Sequence, residues 1–331
     1  MVKYAALVLT AVGLVAGVWI IGAAGWRAVL VAVASVGIGG FAALMAWTGA
    51  NLVILGAGWL AVAPGVARRQ LGTFAWARLT REAATDVLPF SQFGGLVVGA
   101  RTAIAGGIRA PLVYASLIAD QTTELAAQLL FTLFGVAMLA MRLNGGAGEA
   151  PANIVPLVLG GALAMTGVMI VFVVAQRPML AMAQGLAARL LPGSVATMAA
   201  LRDELTAIYA RWPRVVASFL CHLAAWVFSA TGAWIALRFM GQPVSLHGVL
   251  TIEALIFTLR TVAFAIPGGV GVQEAGYLLL GPLFGLTPSA ALALSLVKRA
   301  RDIAVGVPGV LLWQVFEARA LARAEPSSGG G

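Results

Sequence analysis

Five carboxylates and five cations fall inside stretches of this chain that are otherwise apolar: Asp120, Glu124, Glu253, Glu274 and Asp302, with Arg101, Arg260, Lys298, Arg299 and Arg301. A charge at the centre of a bilayer costs about 2.5 to 3.5 kcal/mol even on a lenient insertion scale, so each needs a partner or water. Asp120, Glu124 and Gln128 recur every fourth residue and form one polar stripe on a helix. Counted from Arg109, Asp120 lies roughly 16 Å along such a helix, near mid-membrane. Glu253 and Arg260 share a face, and Lys298 and Asp302 have the spacing of a direct pair. Two roles fit these residues. They neutralise one another and hold a helical bundle together, or they line a polar cavity for a head group or a proton.

Each half of the chain also carries a break. "LPFSQFGG" supplies Pro89, Gln92, Gly94 and Gly95, and "IPGGVG" supplies Pro267, Gly268, Gly269 and Gly271. Pro89 precedes Glu124 by 35 residues, and Pro267 precedes Asp302 by the same 35. Paired breaks at corresponding places in two halves point to a transport site. Non-helical backbone survives at membrane depth only where protein buries it or water reaches it. Glu274, just beyond the second break, suits the start of a short helix, whose free N–H groups and dipole favour a carboxylate.

The elements that must position these groups are membrane helices. The 331 residues are 61% hydrophobic and 10% charged, with a mean hydropathy of +0.98. A soluble domain carries about 25% charged residues. Spans are expected at about 5–25, 37–63, 111–141, 153–175, 214–238, 247–266 and 288–316, with shorter, Gly-rich segments at 88–107 and 267–285. The fold class is therefore all-α, a polytopic bundle of seven or eight transmembrane helices with two broken, re-entrant or crossing segments. Residues 1–318 form one membrane domain, with halves at about 1–141 and 214–316, and 319–331 read as a disordered tail.

The net charge of +9 gathers between spans, where basic residues set orientation, so no nucleic-acid partner is implied. Segments 68–86 and 177–214 hold most of it and are expected in the cytoplasm with Lys3 and the N-terminus. Their apolar residues at helical spacing, such as Leu201, Leu205 and Ile208, suggest amphipathic helices on the inner leaflet. Cys221 is the single cysteine, and His222 and His247 are the two histidines, so no internal disulfide forms and neither a metal nor a cofactor site is expected.

The run Pro267-Gly268-Gly269-Val270-Gly271-Val272-Gln273-Glu274 resembles the PGGxGxxE signature of the flippase-like family that includes the membrane region of lysylphosphatidylglycerol synthases. The first-half run Leu88 to Gly95, with Gly99-Ala100-Arg101 and Asp120-Gln121-Thr122-Thr123-Glu124, is similar to its hopanoid-biosynthesis-associated (HpnL-type) branch. The resemblance covers about residues 10–316. Relatives usually place Glu after the first-half glycines, where this chain has Leu96. The resemblance implies a bacterial inner-membrane protein handling a hopanoid or related lipid. It also implies that lysyl-lipid is not made here, because the synthase's soluble transfer domain has no counterpart.

Three functional classes follow. The leading one is a lipid transporter or flippase whose partners are a lipid substrate, hopanoid or phospholipid, and the bilayer itself. The second is an intramembrane transferase with a polyprenyl-phosphate donor, which needs acids near the membrane surface. No acid precedes Glu82, so the connection near Arg27 offers none. The third is a non-catalytic scaffold for lipid-biosynthesis proteins. No catalytic residue is assigned.

Overall fold

The computed structural model describes residues 26–87, 91–144, 195–262 and 271–324, with isolated helical positions between 156 and 178. The first expected span, the tail beyond 324 and both prolines of the breaks lie outside the described residues, as do Gly268, Gly269 and the side chain of Gln92.

Among the described residues the chain is helical and has no strand, as its composition predicts. The helices are α1 (Trp26–Ala61), α2 (Leu71–Val87), α3 (Ser91–Ala105), α4 (Ala110–Asn144), α5 (Val195–Ala210), α6 (Trp212–Phe239), α7 (Leu246–Val262), α8 (Val272–Leu280) and α9 (Pro288–Ala324). Arg27–Ala61, Ala110–Leu143 and Trp212–Phe239 are long and apolar enough to cross a bilayer. The long helix α9 carries Lys298, Arg299, Arg301 and Asp302 along its middle. It continues to Ala324, past the boundary expected at 318. The second expected span begins at a kink inside α1, where Gly37 has φ 74° and ψ 165°.

The largest departure from expectation is α2. Its sequence reads as a basic helix on the membrane surface, yet Phe74, Ala77, Arg78, Thr80, Ala83 and Ala84 are buried. Glycines on three neighbours explain it. A Cβ at Gly56 of α1 would lie 2.7 Å from the Ala75 backbone, one at Gly95 of α3 2.7 Å from the Arg81 carbonyl, and one at Gly309 of α9 2.8 Å from Ala83 Cβ. Lipid gives helices no hydrophobic reason to associate, so membrane bundles use small residues to bring backbones close. The interior helix α2 meets a small residue on three sides.

Helix α5 departs in the same way. Leu201, Leu205 and Ile208 join a core with Trp59, Phe74, Val113 and Leu117 rather than facing the leaflet. A second core joins the halves, gathering Leu44 of α1 with Leu237, Ile256, Tyr277 and Leu294.

The two halves repeat one plan. Gly107 (φ 88°) and Gly285 (φ 87°) make the left-handed turns before the two long helices, 178 positions apart (285 less 107). The helix starts Ala110 and Pro288 differ by the same 178, as do the helix ends Ala61 and Phe239. Even a turn hydrogen bond recurs: Ile108 N–H donates to the Ala103 carbonyl, and Leu286 N–H to that of Gly281. Pro89 and Pro267 are also 178 apart (267 less 89). Helices α1 to α4 therefore correspond to α6 to α9.

Candidate functional site

The buried charges form two groups, with α2 between them. The first lies among α2, α4 and α6. The Asp120 carboxylate, 0% exposed, accepts on Oδ2 from Arg78 Nη1 and Arg81 Nη1, each at 3.2 Å. Its Oδ1 is 2.8 Å from His222 Nε2. Glu124 Oε2 accepts from Arg78 Nη1 and Arg81 Nη2, each at 3.0 Å, and its other oxygen meets Arg78 Nη2. Arg81 also donates to Gln121. Such geometry is needed, since a guanidinium out of water is tolerated only when its fork is matched by carboxylates. Arg78 Nε forms an ion pair with Glu82 Oε1 at 3.1 Å but, among the described residues, has no aligned hydrogen-bond partner.

The second group lies among α7, α8 and α9. Lys298 Nζ donates to Glu253 Oε2 at 2.5 Å and to the Tyr277 hydroxyl at 2.8 Å. Tyr277 in turn donates to Glu253. All three are buried. The Lys298 ammonium also sits 5.0 Å from the Phe257 ring centroid, a cation–π contact. The pairing of Lys298 with Asp302 suggested by their spacing does not form: Asp302 accepts from Arg301 Nε at 2.9 Å. Glu253 and Arg260 likewise part, although they share a helix.

Nearer the second break the ties loosen. Glu274 accepts from Gly271 N–H at 2.8 Å, closing the first turn of α8, and meets Arg299 with its other oxygen. This satisfies one free N–H of a helix start and places a negative charge where the dipole favours it. Gly271 adopts φ 83°, which the turn into α8 requires. Arg260 Nη1 donates to Gln273 at 3.2 Å, and its Nη2 is 3.9 Å from Asp86. Asp86 lies within electrostatic reach of Asp302, Arg260, Glu82 and Arg301, so α2 joins the two groups.

Most of the expected site residues thus come together, but in two sets. Asp120 and Glu124 form one set, and Glu253, Arg260, Gly271, Glu274, Lys298, Arg299, Arg301 and Asp302 belong to the other. Arg101 belongs to neither: its side chain is 45% exposed and pairs with Glu317. Gly94 and Gly95 lie in the first turns of α3, where Gly95 packs α3 onto α2. Pro89, Pro267, Gly268, Gly269 and the Gln92 side chain fall outside the described residues.

Sequence reasoning missed Arg78, Arg81, Glu82, Asp86, His222, Gln273 and Tyr277. A signal was present for four of them. Arg78, Arg81, Glu82 and Asp86 recur at helical spacing, and only the count of basic residues made them look like loop charges.

A profile of the family described as Lysylphosphatidylglycerol synthase TM region matches residues 5–309. The chain belongs to that family. Its membership extends over both halves of the repeat and every charge of both groups, and with the apolar helices it identifies a membrane protein related to lipid synthesis or flipping. No curated protein and no solved structure matches the chain.

Proposed function

We propose that this chain is a lipid transporter that carries a polar head group past the loose side of the second charge group while the hydrocarbon stays in the bilayer. The observation that carries this reading is a set of charges that are partly exposed and of both signs. The side chains of Arg260 (24%), Asp86 (28%), Glu274 (19%), Arg301 (14%) and Asp302 (20%) are partly accessible to solvent. Intramembrane charges that only hold helices together have no need of exposure, and those on a substrate path do. Arg260 is the loosest cation and can offer its fork to phosphate or hydroxyl oxygens. The carboxylates can accept from amines and hydroxyls.

On this reading the substrate is a hopanoid or a related lipid, in keeping with the resemblance of the first-half motif to the hopanoid-associated branch. The membrane is the bacterial inner membrane, with the N-terminus in the cytoplasm. The site binds and releases, so no catalytic residue is assigned. Purified protein in lipid vesicles should move a labelled lipid between leaflets faster than protein-free vesicles do. A transferase, or a scaffold for lipid-biosynthesis proteins, would leave the label where it was placed, and that outcome would defeat the proposal. Orientation is read separately: cysteines replacing the exposed Arg68 and Arg202 should resist an impermeant thiol reagent outside intact cells.

A further inference from the structure

The first charge group contains a side chain that a purely structural salt-bridge cluster does not need. His222 is 0% exposed and sits on α6, with Nε2 2.8 Å from Asp120 Oδ1. Asp120 also takes two guanidinium N–H groups on its other oxygen, which holds it as a carboxylate. An ionised carboxylate only accepts hydrogen bonds, so Nε2 must carry the hydrogen. That fixes the neutral ring in one tautomer and leaves the lone pair on Nδ1. Nδ1 is buried and, among the described residues, has no hydrogen-bond partner. Most buried polar atoms find a partner, so an orphaned ring nitrogen beside five charged groups calls for a role.

We infer that His222 is a proton-binding site, taking a proton at Nδ1 while Nε2–H stays on Asp120, and that its charge state is coupled to lipid movement. The inference rests on the transport reading for its second half only. Charge balance supports it. With a neutral ring, Arg78 and Arg81 face three carboxylates, Asp120, Glu124 and Glu82, and the group carries one surplus negative charge. One proton on His222 cancels it. The proton comes from water as hydronium and forms one N–H bond, so no other reactant is required.

The groups facing the ring are these. Helix α4 presents Asp120 and Glu124, the latter within electrostatic reach of the imidazole. Across Asp120, α2 presents Arg78 and Arg81, which oppose the added charge. Helix α6 itself adds Cys221, and α1 presents Gly58, where a Cβ would stand 3.2 Å from Nε2. The carboxylates favour the imidazolium and the guanidiniums disfavour it. The group borders water through Glu124, 13% exposed, and Glu82, 35% exposed.

The consequence is a coupling to the other group. Gain or loss of the charge on His222 alters the pull of Asp120 on Arg78 and Arg81, both on α2. The same helix carries Asp86 to Arg260 and Asp302. A proton bound in the first half thus acts on the loose site of the second through one helix.

The test uses full-length protein in lipid nanodiscs with nitrogen-15 histidine, and with His247→Gln so that His222 alone reports. His247 is exposed at the start of α7 and outside both groups. At about pH 8.5 the ring should show one bare and one protonated nitrogen, and at about pH 5.5 two protonated nitrogens. A ring that keeps one state across this range, in protein that moves lipid, would overturn the inference. Coupling is read in vesicles, where wild-type lipid movement should change by about tenfold per pH unit on its limiting side, as for one proton. His222→Gln, which can still donate to Asp120, should give a flat profile. A variant profile that matches the wild type would refute the coupling. If the ring titrates while no lipid moves at any pH, the proton site stands and the transport reading fails.

Discussion

The two halves of this protein share a backbone plan and put different charges on it. Across the 178-residue offset, Asp120 of the first half corresponds to Lys298 of the second (298 less 120), and Glu82 corresponds to Arg260 (260 less 82). Gln121 stands where the second half has Arg299, and Leu96 where it has Glu274. The helices, their left-handed glycines and their turn hydrogen bonds were kept, and the side chains at equivalent points diverged. The result is one charge group that is closed at its centre and a second that is closed at Lys298, Glu253 and Tyr277 but loose around Arg260. In the first, Arg78 is 1% exposed, Arg81 7% and Asp120 0%, and the carboxylates are shared between two guanidiniums. In the second, Arg260 holds one hydrogen bond and a distant carboxylate. Symmetry therefore sets where charges can be placed, while saturation decides whether they hold the fold or meet a ligand.

The closed half should break hardest. Arg78→Ala leaves Asp120 and Glu124 short of a cation in a largely buried site, and removing one partner of a buried pair costs about 3 to 5 kcal/mol. Thermal unfolding of the purified protein should show that loss, or the variant should fail to accumulate. Arg301→Ala, beside an Asp302 that is 20% exposed, should cost much less. Equal losses at Arg78 and Arg301 would erase the distinction between the halves.

The next effect tests the divergence itself. Leu96 is partly buried against the core around Trp59 and Phe74. Leu96→Glu places in the first half the carboxylate that the second has at Glu274, but the first half has Gln121 where the second offers Arg299. The new charge should cost about 1 to 3 kcal/mol as an unpaired buried group. Adding Gln121→Arg should recover part of it, and a double-mutant cycle in thermal unfolding measures the coupling. No coupling would mean that the two halves do not place positions 96 and 121 as they place 274 and 299.

How far the sequence reveals this arrangement depends on the residue. Helical class and the long helices α4 and α6 follow from apolar length alone. Asp120 and Glu124 stand out because an acid in an apolar run is conspicuous. Arg78 and Arg81 do not, because in membrane sequences clustered arginines usually mark a cytoplasmic loop. What places them inside is the set of glycines at 56, 95 and 309, which lie on three other helices, and a single sequence does not say that these face α2. His222 is hidden for a related reason: its meaning comes from Asp120, 102 residues away. The spacing of Lys298 and Asp302 misleads because a neighbouring helix supplies Glu253, a better buried partner.

Glu274→Gln should have a moderate cost. The side-chain oxygen can still accept from Gly271 N–H, but the amide cannot also neutralise Arg299, which is 5% exposed. Loss of one charged hydrogen bond is worth about 1 to 2 kcal/mol here, more than an end-of-helix charge alone would give. Lipid movement should also fall in the vesicle assay. Full stability in thermal unfolding would mean that Arg299 is served by something other than Glu274.

The smallest structural effect is expected at Arg260, and it separates the two roles of charge most cleanly. Its side chain is 24% exposed, its carboxylate partner is 3.9 Å away, and among the described residues its one hydrogen bond goes to a neutral amide. A pair this loose and this wet contributes about 0 to 1 kcal/mol. Removing it by Arg260→Leu should therefore leave insertion and thermal unfolding close to wild type. Gln273 keeps its two donations to Ser295, at 3.2 Å to the carbonyl and 3.0 Å to the hydroxyl, so the start of α8 stays in place. What the variant loses is a partly exposed guanidinium on α7 with unspent donors, close in sequence to the second break. If head groups pass there, lipid movement should drop at least about tenfold, the loss of one charged contact worth about 1.4 kcal/mol or more. A variant that is stable and still moves lipid at the wild-type rate would show that looseness in the second half is not what makes it functional.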